Sequence, residues 1–323
     1  MPTRDDTEQG RRMAGQNNAP LPDGLELGGY RIVKKIAVGG FSIVYLAEDG
    51  DGHAVAIKEY LPAALVTRDA GQLQPKIAPE NTELYRIGLK CFFDEGRVLA
   101  SIVHPHVVRV LNFFRAHDTV YMVMGYEHGR SLQDHIDLRR QKGDKPLVSE
   151  TAIRRMFMQV MDALREVHTH KLLHLDLKPA NIYLRVDGTP ILIDFGAARQ
   201  TLHADLSRLY PMYTLGFAAP ELITRKELGP WTDIYSLGAS IFTCMVGVPP
   251  QSAHERREDD RMEGYYQQLE GVYSSGLIQL MRWSLMVDPL QRPQSVFALQ
   301  KALRKIGETA ESGLLSRLRR LVN

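Results

Sequence analysis

A two-lobed α+β fold, strand-rich first and mainly helical after, is predicted by the order of patterns along the chain. Three observations carry the prediction. From Tyr30 to Lys58, short runs rich in Val, Ile and Tyr are separated by Gly39-Gly40 and by Gly50-Asp51-Gly52, which reads as strand, turn, strand, turn, strand. Beyond Gly129 the apolar residues change to a helical period. With 323 residues, 44% of them hydrophobic, the chain can build a substantial core in one large domain or two modest ones.

The elements follow in order. Residues 1–24 are Gln, Asn, Pro, Gly and mixed charge with few apolar side chains. They bury too little surface to offset the entropy of ordering, so a disordered arm is expected. Strands are predicted at Arg31 to Ile36, Ile43 to Ala47 and Ala54 to Lys58. A long helix follows, capped by Asn81, with Leu84, Ile87, Cys91, Val98, Leu99 and Ile102 at helical spacing. Two further strands, Val107 to Phe114 and Val120 to Met124, complete a first lobe spanning 25–124, and the hinge is expected at 125–129.

In the second lobe, 130–306, Ser149 caps a helix whose Ile153, Phe157, Val160, Leu164 and Val167 form one apolar face. Short strands at Leu172 to His174, Ile182 to Leu184 and Ile191 to Ile193 precede a remainder that is mostly helical after Thr232. Lys301 to Asn323 carry six basic and two acidic side chains, a net +4. Within the tail, 307–323, Leu314, Leu318, Leu321 and Val322 form one apolar stripe. A helix packed on its own domain, or a frayed solvated end, is expected there ahead of a membrane-surface or partner-docking helix.

Composition excludes several function classes. A formal net charge of +2 gives no electrostatic case for a nucleic-acid partner. Cys91 and Cys244 are far apart in apolar surroundings, so neither a disulfide framework nor a paired-cysteine metal site is predicted. No stretch approaches the about 18 apolar residues of a membrane span, and the N-terminus lacks the apolar core of a signal peptide. A cytoplasmic protein is expected.

The chemistry is concentrated in a few segments. His174-Leu175-Asp176-Leu177-Lys178-Pro179-Ala180-Asn181 resembles the catalytic loop of protein kinases, H-R-D-L-K-P-x-N, and Asp194-Phe195-Gly196, after the apolar run Ile191 to Ile193, resembles their D-F-G motif. Val55-Ala56-Ile57-Lys58 is similar to the V-A-I-K strand. Thr214-Leu215-Gly216-Phe217-Ala218-Ala219-Pro220-Glu221 is similar to the end of the activation segment. The resemblance covers roughly Tyr30 to Arg304, with motifs in the family's order, and the wording around Lys58 to Pro62 and Asp194 to Gln200 looks like bacterial kinases of the eukaryotic type.

What the resemblance implies is a bilobal protein-kinase fold: a small β-rich lobe with one long helix, and a larger helical lobe. The implied activity is transfer of the γ-phosphoryl group of ATP to serine or threonine hydroxyls of protein substrates, with autophosphorylation. Phosphoryl transfer needs phosphates held, a divalent metal bridging them and a nucleophile in line. By the resemblance Asp176 accepts the hydroxyl proton, Lys178 neutralises phosphate charge, and Asn181 and Asp194 bind Mg2+, with Mn2+ as the alternative ion. Lys58 pairs with the α and β phosphates and with a helix glutamate; Glu95 is chosen, and Glu80 and Glu83 compete with it. Thr214 touches Asp176 and Lys178 and favours serine or threonine as acceptor.

For the nucleotide, Ala37, Val38, Gly39, Gly40, Phe41 and Ser42 stand at the glycine-rich loop, and Val44, Ala56, Met124, Tyr126 and Tyr183 at the adenine pocket. Glu221 and Arg292 match a buried ion pair of the helical lobe, and Asp233 matches the acid that braces the catalytic loop. Two departures matter. The first and third loop glycines are Ala37 and Ser42, both small enough to leave backbone N–H groups near phosphate. Leu175 replaces an arginine that in many kinases grips activation-loop phosphate, which a leucine cannot do; activity is therefore expected not to depend on such a phosphate. A pseudokinase scaffold and a small-molecule kinase are the competing readings, and a homodimer stays open.

Overall fold

The computed structural model describes residues 17–195, 213–224 and 226–307. The described residues divide into two compact units: the first runs to Val103 and takes in Val108–Glu127, and the second takes His104–Val107 and continues from His128. The division falls within the expected hinge stretch, but His104–Val107, expected in the first lobe, group with the second unit.

The first unit is built on a six-stranded antiparallel sheet in the order β1-β2-β3-β4-β8-β7, comprising β1 (Glu26–Leu27), β2 (Tyr30–Val38), β3 (Ser42–Glu48), β4 (Ala54–Tyr60), β7 (Val110–Ala116) and β8 (Thr119–Gly125). Strand β4 shows why register decides the chemistry, because side chains alternate between faces. Ala56, Lys58 and Tyr60 point one way, and Tyr60 packs its ring against Tyr85 and Phe92 of helix α1 (Thr82–Ser101). Val55, Ile57 and Glu59 point the other way, level with the buried Ile43, Tyr45, Tyr121 and Val123. The β7–β8 turn is a tight one: His117 and Asp118 both adopt positive φ, 49° and 58°, which suits the right-handed twist of a hairpin.

Helix α1 lies close on the sheet because two of its residues lack a side chain. A Cβ at Gly88 would fall 1.9 Å from the Tyr60 hydroxyl, and one at Gly96 2.0 Å from Phe113. Asn81 precedes the helix as expected but does not cap it through its side chain; its amide instead donates to the Leu65 carbonyl at 3.1 Å. Between β4 and α1 the chain forms a small hairpin, β5 (Val66–Thr67) with β6 (Lys76–Ile77), which the periodicity did not signal.

Part of the expected disordered arm is ordered. Asn18 and Leu21 are buried, and Ala19 N–H donates to the Arg68 carbonyl at 2.9 Å. Composition averaged over 1–24 hides this, because backbone and amide bonds to Val66 and Arg68, with a single buried leucine, hold the segment. Residues 1–16, the activation-loop hydroxyls Thr201 and Ser207, Gly196, and 308–323 of the tail lie outside the described residues.

The second unit carries a three-stranded sheet, β9 (Gly129–Ser131), β10 (Ile182–Arg185) and β11 (Pro190–Leu192), in the order β11-β10-β9. Leu172 to His174, expected as a strand, is an irregular segment. The His174 N–H goes to a buried carboxylate and the Leu172 N–H to the Val167 carbonyl at the end of the preceding helix, instead of to a neighbouring strand. Helix α2 (Leu132–Gln141) begins with a capping box at Ser131 and Asp134. Helix α3 (Glu150–Thr169) is capped by Ser149 as predicted and buries Ile153, Phe157, Val160, Leu164 and Val167. Helices α4 (Pro220–Thr224) and α5 (Pro230–Val246) follow, and α5 is buried along nearly its whole length, as its almost unbroken apolar and small-residue sequence requires.

Candidate active site

The catalytic-loop residues are set on a turn whose shape is fixed from beneath. Leu175 adopts φ of 60°, a left-handed conformation that a branched side chain occupies only when its surroundings hold it there. Asp233, fully buried on α5, supplies the hold: its carboxylate accepts from the backbone N–H groups of His174 at 2.9 Å and Leu175 at 2.8 Å. His168 Nε2 lies 2.8 Å from the same carboxylate. Burial works to raise the Asp233 pKa, but the bond from His168, the nearby His174 and the Leu175 N–H outweigh it and hold the carboxyl below its usual range. The sequence pointed to Asp233; it gave no signal for His168.

Above that brace, three expected residues converge. Lys178 Nζ donates to Asp176 Oδ2 at 2.7 Å and to Thr214 Oγ1 at 2.7 Å. Thr214 in turn donates to Asp176 Oδ1 at 3.0 Å. Asn181 donates its amide nitrogen to the Asp176 carbonyl at 2.8 Å and to Oδ2 at 3.1 Å, which leaves the amide oxygen as its ligating atom. Asp176 is one-fifth exposed, so it is open to an incoming group while its orientation is fixed by three side chains.

Asp194 follows Ile193, whose N–H donates to the Asn181 carbonyl at 3.0 Å. It is exposed and has φ of 58°. A carboxylate and an amide oxygen on neighbouring segments suit a hard divalent cation, which takes oxygen ligands. Phe195 is buried with its ring 4.6 Å from that of His174. Burial lowers the His174 pKa, against the pull of Asp233, Asp176 and Asp194.

The end of the activation segment is tied down by the predicted ion pair. Arg292 donates to both oxygens of Glu221, at 2.7 and 2.9 Å, and Thr232 Oγ1 adds a third bond at 3.0 Å. Both charged residues are buried. Leu175, at the position where many kinases carry an arginine, packs with Ala218 and Leu222.

Within the first unit, Lys58 is buried, and its Nζ lies 6.0 Å from the centroid of the Phe92 ring. Glu95 falls on the same buried stripe of α1 as Phe92, whereas Glu80 and Glu83 are exposed. Ala56 pairs with Leu46 and Met124, and Val44 with Lys58, so Val44, Ala56, Lys58 and Met124 share one face of the sheet. Ala37 and Val38 end β2, and Gly39 to Phe41 form the turn into β3, with Gly39 N–H donating to the Ser42 carbonyl at 2.8 Å. Tyr126 follows β8, and Tyr183 sits on β10 of the second unit. The sequence missed one structural feature here: a buried cluster of Glu59, Arg68, Tyr45 and Tyr121. Nothing local marks Arg68, which stands between Thr67 and Asp69.

The family profile described as "Protein kinase domain" matches residues 30–303. Among curated proteins, the chain is similar to the carbon catabolite-derepressing protein kinases of Secale cereale, 29% identical over 81% of this chain and 49% of the relative, and of Saccharomyces cerevisiae, 29% identical over 84% and 39%. It thus spans half or less of the length of these relatives. Among solved structures, one titled "PpkA-294 apo form" superposes with a TM-score of 0.77 at 31% identity, covering 88% of this chain and 99% of that one. The Mycobacterium tuberculosis PknI kinase domain, at 23% identity and a TM-score of 0.65 over 89% and 99%, shares the fold. A match across nearly the whole described chain, joined to the residues assembled around Asp176, places this chain in the protein kinase domain family, in its eukaryotic-type serine/threonine class.

Proposed function

We propose that the chain is an active protein serine/threonine kinase that transfers the γ-phosphoryl group of ATP to hydroxyls of protein substrates. The observation that carries this reading is the bonded set Asp176, Lys178 and Thr214, in which each side chain contacts the other two. Asp176 presents a carboxylate to orient an acceptor hydroxyl and take its proton. Lys178, held at that carboxylate, offers charge to the transferred phosphate. Lys58 and the Gly39-Gly40 turn hold the remaining phosphates, and Glu95 orients Lys58. Val44, Ala56, Met124, Tyr126 and Tyr183 receive the adenine.

Asn181 and Asp194 would hold a divalent cation, Mg2+ or Mn2+, which when bound neutralises charge on the phosphates. The chain's own contribution is to fix Asn181 through its two bonds to Asp176, so that metal ligand and base keep one geometry. A scaffold without chemistry has no need to keep acid, lysine, amide and peptide-facing threonine bonded together. A small-molecule kinase has no need of the Thr214 to Glu221 segment.

The experiment is incubation with magnesium, labelled ATP and a generic protein substrate, beside Asp176→Asn, followed by phosphoamino-acid analysis. Label on serine or threonine from the wild type alone is expected. Equal label from both proteins would remove the catalytic reading. No helix among the described residues is long and apolar enough to cross a membrane. A cytoplasmic location belongs to the same proposal.

A further inference from the structure

The segment between β4 and α1 is unusually long for its place, and in the structure it reaches two different parts of the first unit. At its start, Leu61 N–H donates to the Phe41 carbonyl at 2.8 Å and Ala63 N–H to the Gly40 carbonyl at 2.9 Å. Both carbonyls belong to the glycine turn. Further along, Arg68 crosses to the face of β4 opposite Lys58 and pairs with Glu59, with both side chains fully buried. Its second guanidinium nitrogen donates to Glu59 Oε2 at 2.8 Å and to the Tyr45 hydroxyl at 3.2 Å.

Glu59 is held from either side as well. Tyr45, on β3, donates to Oε2 at 2.8 Å, and Tyr121, on β8, donates to Oε1 at 3.0 Å. Register puts Tyr121 directly opposite Glu59. One carboxylate therefore links three adjacent strands at the level of Lys58, its neighbour in sequence. The N-terminal segment closes the cluster from outside: Arg68 Nε donates to the Ala19 carbonyl at 2.8 Å, Arg68 N–H to Asn18 Oδ1 at 2.6 Å, and Leu21 N–H to the Tyr45 hydroxyl at 3.1 Å.

Stability alone does not account for such a cluster. The cost of taking two charges out of water offsets much of their attraction, and a well-packed apolar pair of the same volume serves a fold as well or better. What a fully satisfied buried pair supplies is one defined geometry. Here that geometry is imposed on the strand of Lys58 and, through Leu61 and Ala63, on the glycine turn. These are the two elements assigned to the nucleotide phosphates, so the inference rests on the kinase reading above.

We propose that Arg68 is a positioning residue for nucleotide binding: by clamping Glu59 and carrying the N-terminal segment, it holds the Lys58 strand and the glycine turn in the arrangement the ATP phosphates require. Arg68 touches no reacting atom, and its effect passes through Glu59 and the insertion.

The test is the full-length double variant Glu59→Met/Arg68→Met, which removes both charges at similar volume and leaves neither one unpaired. Its melting temperature is expected to stay near that of the wild type while KM for ATP rises about tenfold and KM for the protein substrate is unchanged. Arg68→Lys, which keeps the charge and loses the fork, is expected to fall between the two. A folded double variant with wild-type KM for ATP would overturn the proposal, as would equal changes in both KM values. Should the double variant not fold, Asn18→Ala decides the matter, since it removes two bonds from the outer end and leaves the pair in place; a threefold rise in KM for ATP is expected, and no change would overturn it. A wild type that labels no better than Asp176→Asn would remove the kinase reading instead, and titration with a fluorescent ATP analogue would still report whether Arg68 governs nucleotide affinity.

Discussion

Leu175 packs against Leu222 in an apolar cluster that also takes in Ala218, with Leu173, Tyr213, Ile223 and Leu228 around it. The residue before Asp176, the proposed base, is thereby joined to the helix that ends the activation segment, and the joint needs no phosphate. An arginine in this place would carry a charge into apolar surroundings, which is costly without a partner. The contact gives the departure from the family pattern a positive role: hydrophobic packing stands where other kinases use an ion pair.

Activity is accordingly expected to survive removal of the activation-loop hydroxyls. The combined variant Thr201→Ala/Ser207→Ala/Tyr210→Phe should phosphorylate a protein substrate within about twofold of the wild-type rate, since no basic side chain stands at position 175 to read a phosphate. Loss of activity in this variant, with recovery on acidic replacement, would show that another residue reads the phosphate.

Replacing the base should separate chemistry from binding. Asp176→Asn keeps a side chain of the same shape for Lys178 and Thr214 but removes the carboxylate, so kcat is expected to drop by about 10²–10⁴-fold, the usual contribution of a positioned general base. KM for ATP should change little, because Asp176 holds the acceptor end. Steady-state kinetics in both substrates checks the split; a variant whose only defect was a raised KM for ATP would place Asp176 with the nucleotide instead.

His174 makes a prediction about pH. Its ring is buried against Phe195, and neither ring nitrogen has a hydrogen-bond partner among the described residues. Burial holds its folded-state pKa below the usual 6.5. Below that pH the unfolded chain binds a proton that the folded chain does not. The contribution to stability is therefore full above pH 6.5 and is lost as the pH falls below it, at up to about 1.4 kcal/mol per pH unit. His174→Leu should lose less of its melting temperature between pH 7.5 and 5.5 than the wild type does, and parallel curves for the two would show that this ring does not titrate on unfolding.

How much was legible in the sequence follows from which interactions are local. The catalytic loop reads directly because Asp176, Lys178 and Asn181 sit within one turn, and Thr214 could be placed beside them because its own segment is equally distinctive. Helical spacing in α3 marked its buried face in the same way. What stayed hidden depends on pairings far apart in the chain. Arg68 and Asn18 are bonded across 50 residues, and nothing in the local composition of either marks the other, so the N-terminal segment looked disordered through residue 24. Leu172 to His174 looked like a strand because of its apolar residues, but the Leu172 N–H answers the Val167 carbonyl and the His174 N–H a carboxylate on α5.

The Glu221–Arg292 pair gives a prediction that distinguishes support of the site from support of the fold. Arg292 fills a place with no exposure to speak of: besides Glu221 it donates to the carbonyls of Trp231 at 3.0 Å and Val287 at 3.1 Å, and its guanidinium lies 4.9 Å from the centroid of the Tyr235 ring. Arg292→Met would strand the Glu221 carboxylate without its main partner, and breaking a buried pair from one side costs about 3–5 kcal/mol. Glu221→Gln should cost less, since the amide oxygen still accepts from Arg292 and from Thr232. Denaturant unfolding of the two variants is expected to rank them in that order. The surviving folded fraction of Glu221→Gln should keep a KM for ATP near that of the wild type, because Glu221 braces the segment that ends beside Thr214 and has no part in holding nucleotide. A larger loss of stability in Glu221→Gln than in Arg292→Met would overturn this ranking, since it would show that neither the stranded carboxylate nor the bonds from Arg292 to backbone carbonyls governs this end of the activation segment.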